Sequence, residues 1–76
     1  MNNIRRKQLQ QIIDKLEDLK SDLEALKDEE EEYRDNMPEN LQGSERYEKA
    51  DEACDNLSYA FDSLEEAVSY IEESVA

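Results

Sequence analysis

Histidine is absent from this 76-residue chain, and glycine, proline and cysteine occur once each, as Gly43, Pro38 and Cys54. Without histidine the usual general base near neutral pH is missing, and so are the Cys-His nucleophile pair and the Glu-x-x-His ligands of helical di-metal sites. No Gly-rich phosphate loop, EF-hand pattern or Cys-x-x-Cys occurs either. Most of the parts of an enzyme are therefore lacking, and no catalytic residue, cofactor or metal is expected. A lone cysteine allows no internal disulfide, so an intracellular, cytoplasmic location is expected. Apolar runs are short, as at Ile12-Ile13 and Ala67-Val68, against the ~20 residues that span a bilayer. Gln8, Gln10 and Gln11 follow Arg5-Arg6-Lys7 where a signal peptide needs an apolar core. Neither a signal peptide nor a membrane partner is expected.

What the chain has in abundance is negative charge: 22 acids against 9 bases, a net charge of -13, with 41% of residues charged. In a sequence without apolar order that balance would indicate disorder. Here the apolar residues are ordered. Leu9, Ile12, Leu16, Leu19, Leu23, Leu26, Tyr33 and Met37 alternate steps of three and four, broken only by Glu30. Tyr47, Ala50, Cys54, Leu57, Phe61, Leu64, Val68, Ile71 and Val75 do so without a break. Each series is the a/d seam of a heptad repeat and predicts a helix, roughly 45 Å long at 1.5 Å per residue. Between them Pro38 disfavours helical geometry at Met37, Gly43 supplies a stop, Ser44 suits the N-cap of the next helix, and Leu41 is placed to fold over the end of the seam. The expected fold is all-α: an antiparallel two-helix coiled-coil hairpin, helix one at about 4–36, a corner at 37–43 and helix two at about 44–75. Layers would pair at residue numbers adding to 80, from Leu9 with Ile71 to Tyr33 with Tyr47, with Cys54 facing Leu26 as an inert core thiol and Glu30 facing Ala50, where a tyrosine hydroxyl could satisfy it. Flanking positions put Arg6, Lys20, Lys27 and Arg34 opposite Asp51, Glu65 and Glu72, a charge pattern that favours the hairpin over two parallel zippers.

Two surfaces could recognise something. Ala53, Ala60 and Ala67, seven apart, make a smooth ledge: either a product of helix propensity, or a contact face for a homodimeric four-helix bundle or a partner helix. On the outward side of helix two, Glu48, Glu52, Asp55, Tyr59, Asp62, Glu66, Tyr70 and Glu73 fall close to one line. This acidic ladder is either a solvated face or a recognition stripe for a basic protein surface, where tyrosine is a favoured interface residue. Direct nucleic-acid binding is disfavoured at a net charge of -13, and the one basic cluster, Arg5-Arg6-Lys7, lies at the end that Glu72 and Glu73 would neutralise. The net charge amounts to one per ~3.5 Å of rod against one phosphate per ~1.7 Å of duplex axis, so mimicry of DNA is physically admissible.

Arg5-Arg6-Lys7, Leu16-Glu17-Asp18-Leu19-Lys20, the Glu-rich run to Tyr33, Met37-Pro38-Glu39-Asn40-Leu41-Gln42-Gly43-Ser44-Glu45-Arg46-Tyr47 and Leu64-Glu65-Glu66-Ala67 together resemble a group of short acidic proteins of Gram-positive bacteria, their phages and mobile elements. The resemblance covers nearly the whole chain and implies no activity or site residue. A mobile-element setting implies, by analogy, a small inhibitor of a host nucleic-acid-binding protein. Secreted helical hairpins with Trp-x-Gly in the corner are not matched, since tryptophan is absent. The function expected is a non-enzymatic protein-binding module, with a self-assembling structural hairpin as the alternative.

Overall fold

The computed structural model describes all 76 residues: helix α1 (Asn3–Asp35), a single 3-10 turn (Glu39–Leu41) and helix α2 (Glu45–Val75). The two helices run antiparallel against each other as a hairpin of 59 × 15 × 13 Å between Cα extremes. No helix is long and apolar enough to cross a membrane.

The ends of the helices follow from local chemistry. Asn2, with extended backbone, accepts a hydrogen bond from the Arg5 N–H on its Oδ1 at 2.7 Å, which satisfies one of the free amides of the first turn of α1. Pro38 forbids helical continuation, and α1 stops at Asp35 with the Asn36 N–H bonded back to the Glu32 carbonyl at 2.9 Å. Ser44 then caps α2, accepting from the Tyr47 N–H at 3.3 Å and donating its hydroxyl proton to the Leu41 carbonyl. Gly43 does not act as expected: its φ is not positive and a Cβ there would meet nothing within 4 Å, so the proline and the serine cap define the corner.

On α2 the seam lies where the heptad places it. Ala50, Cys54 and Val68 are buried, with Tyr47, Leu57, Phe61, Leu64, Ile71 and Val75 half-buried between them. On α1 one row of the seam is displaced. Leu9, Leu16, Leu23, Glu30 and Met37 face α2 as expected, but the row beside them is Ile13, Lys20, Lys27 and Arg34, not Ile12, Leu19, Leu26 and Tyr33. Ile13 is 3% exposed, whereas those four are 44, 58, 59 and 49% exposed. At ~100° per residue, this is a turn of α1 by about 50° about its own axis. The cause lies in the long basic side chains, whose stems cover apolar surface while their heads reach carboxylates. Lys20 Nζ lies 3.8 Å from Glu65 and 5.6 Å above the centre of the Phe61 ring, and Arg34 donates to Asp51 at 2.9 Å.

The two interhelical ion pairs, Lys20–Glu65 and Arg34–Asp51, join the basic and acidic flanking rows that the charge pattern set opposite each other. Cys54 accordingly lies among Glu30, Glu31 and Arg34, not against Leu26. Glu30 is half-buried and makes no hydrogen bond to Tyr33 or Tyr47, yet no buried polar side-chain atom in the chain is left without a partner, because its carboxylate reaches solvent through a cleft at the edge of the hairpin.

Candidate interaction surfaces

The hairpin has two unlike long sides. One is closed by charge: Lys20 bridges Glu17 and Glu65, Lys27 bonds Glu31 at 3.3 Å, and Arg34 is held between Asp35 at 3.0 Å and Asp51 at 2.9 Å. The Lys27 ammonium is stabilised as the cation chiefly by its hydrogen bond to Glu31, and the Arg34 guanidinium by Asp35 first and Asp51 next, against the cost of partial desolvation. Cys54, 2% exposed, lies beneath this side, and desolvation pushes its thiol up. A buried, protonated thiol is a small hydrophobe and a poor nucleophile.

The opposite side carries the displaced row of α1 and the alanine ledge of α2 together. Since Lys20 and Arg34 reach Glu65 and Asp51 across the closed side, Ile12, Leu19, Leu26 and Tyr33 flank Ala53, Ala60 and Ala67 across the other. Two shallow clefts place the last residue of that row, Tyr33, beside the start of α2: one is lined by Glu30, Glu45, Arg46, Lys49 and Ala50, the other by Met37, Pro38, Leu41 and Arg46. Ala60 is exposed, while Ala53 and Ala67 are half-covered. The leucine row was invisible as a surface to the heptad reading, which spent it on the core. The signal that marks it is the second series Lys20, Lys27, Arg34, seven apart, competing for the same seam.

The outward ladder of α2 is fully presented. Glu48, Glu52, Asp55, Tyr59, Asp62, Glu66, Tyr70 and Glu73 are all exposed, the two tyrosines at 68 and 62%. Its only internal contact is a 3.5 Å hydrogen bond from the Tyr70 hydroxyl to Glu66. None of its six carboxylates takes part in an ion pair, although seven such pairs form elsewhere. Nor do Arg5, Arg6 and Lys7 pair with Glu72 or Glu73, the neutralisation expected of them; Arg6 turns instead to Asn3 at 3.5 Å. Comparison of the chain with protein-family models, with curated protein sequences and with solved structures finds no match.

Proposed function

We propose that the chain is a non-enzymatic protein-binding module that engages a basic protein surface through the outer face of α2. The observation that carries this reading is the uncompensated ladder. Six carboxylates run along about 37 Å of helix without an internal cation, and Tyr59 and Tyr70 stand among them with most of their surface free. Lys20, Lys27, Arg34 and Lys49 pair with acids elsewhere, so the ladder offers a basic partner a row of carboxylates that no internal cation competes for. An acidic rod of this kind is physically suited to occlude a nucleic-acid-binding surface, and a counter-defence role of that kind in the cytoplasm of a bacterial host is the form of the proposal that the resemblance favours by analogy.

The test is affinity capture from the native host with mass spectrometry, using the wild type and a Glu52→Lys, Glu66→Lys double variant. Helicity by circular dichroism should be equal in the two, and the wild type should retain a basic protein that the variant loses and that moderate salt releases. Equal capture by both proteins would reduce the ladder to a solvated face.

A further inference from the structure

The apolar centre of α1 does not point at α2. With Leu9, Leu16 and Leu23 on one row and Ile12, Leu19, Leu26 and Tyr33 on the next, it is turned about 50° from the direction of α2, towards the open side. The ledge of Ala53, Ala60 and Ala67 widens the seam of α2 towards that same side. Helices of a four-helix bundle are oriented in this way, each aiming its apolar face at a central axis between its two neighbours. The hairpin is half of that arrangement.

The area agrees. A folded 8.9 kDa monomer should expose about 4800 Å², but the chain exposes 5738 Å² and buries only five residues. The excess, about 900 Å², comes with the elongated shape of the hairpin, 59 × 15 × 13 Å, and side-by-side pairing of two copies with the ~800 Å² per partner of a standard interface would remove it.

Charge selects the occupant. For a chain of net charge -13, self-association is opposed unless the touching surfaces are neutral. The open side is nearly so: Lys15, Arg46 and Lys49 offset Asp22, Glu29, Glu30 and Glu45, with Lys49 already 3.1 Å from Glu45, and Asn56 and Ser63 lie along the remaining rim. We infer that this side is the interface of a homodimer, a two-fold four-helix bundle in which Leu19, Leu26 and Tyr33 of each copy pack on Ala67, Ala60 and Ala53 of the other. Large side chains then meet small ones, and the two-fold axis parallel to the helices brings no like charges together: Lys15 faces Tyr70, Asp22 faces Ser63 and Glu29 faces Asn56 of the second copy. The inference is independent of the acidic ladder, whose six carboxylates point away from this interface and of which Tyr70 alone reaches the rim.

Sedimentation equilibrium of the full chain over a wide concentration range should give a mass of twice 8.9 kDa. Leu26→Glu and Ala60→Glu, on opposite helices but in one contact, should each weaken dimerisation by about a hundredfold or more, because each buries an unpaired carboxylate. Glu52→Lys, on the outer face, should leave it unchanged. Should the charge insertions unfold the chain, crosslinking decides: in a Cys54→Ala background, Leu26→Cys with Ala60→Cys should oxidise to a covalent dimer, while Leu19→Cys with Leu26→Cys should not. A wild type that stays at 8.9 kDa, or a dimer joined through positions 19 and 26 instead, overturns the proposal.

Discussion

The two sides of the hairpin solve one problem in opposite ways. On the closed side α1 covers its contact with α2 using the stems of Lys20, Lys27 and Arg34, and spends the charges on Glu65, Glu31 and Asp51. On the open side it leaves Ile12, Leu19, Leu26 and Tyr33, the more hydrophobic row, in solvent. A helix that sought only to bury apolar area against one neighbour would do the reverse. The difference teaches that the apolar arc of α1 is wider than the face it turns to α2, and that the exposed part of it is the more hydrophobic part.

The comparison breaks most clearly at two adjacent residues. Ile13→Ala, at a position 3% exposed, should cost about 2–4 kcal/mol in urea unfolding, a large share of the stability of so small a domain. Ile12→Ala, at 44% exposed, should cost about 1 kcal/mol or less at concentrations where the chain is monomeric. Equal losses would mean that α1 is not turned. Next in size is the buried thiol beneath the closed side. Cys54 should react with Ellman's reagent only through unfolding of the hairpin, at a rate far below that of a free thiol. Its raised folded-state value also gives a sign: stability that it contributes is complete below the unfolded thiol's pKa, about 8.5, and is lost as pH rises through the higher folded value. Thermal melts in alkaline buffer should therefore fall for the wild type and fall less for Cys54→Ala.

Smaller again is the closed side's own electrostatics. Asp51→Asn removes the acceptor of Arg34 at 2.9 Å and should lower the melting temperature slightly, with the difference shrinking as salt is added. The corner supplies a change that touches neither side. Gly43→Ala should be neutral or stabilise by about 0.4–1 kcal/mol, since the backbone is not left-handed and the added methyl meets no atom within 4 Å.

The hairpin itself was legible in the sequence. Pro38 and Ser44 mark the corner, and α2 carries its seam without interruption, so helix positions and topology follow from local chemistry. The rotation of α1 was not. Hydropathy counts Lys20, Lys27 and Arg34 as polar and cannot register that their stems are apolar and long enough to lie in a seam with the charge outside. Two heptad rows, one of leucines and one of bases, flank the same central row, and only the positions of Glu65, Asp51 and Phe61 on the opposing helix decide between them. The surface that the leucines form went unseen for the same reason. The acidic ladder, by contrast, rests on α2 alone and lies where its spacing put it.

The hairpin topology has a kinetic consequence. The contact between Arg34 and Asp51 spans seventeen residues of chain, whereas Lys20 and Glu65 are separated by forty-five. Because closing a loop costs more as it lengthens, the helices should zip from the corner, with the capped turn at Ser44 as the starting point and the two termini joining last. Opening runs the other way, so the amides near Ile4 and Ile71 should exchange with solvent long before those near Ala50, and a protease admitted to the hairpin should enter at its free end.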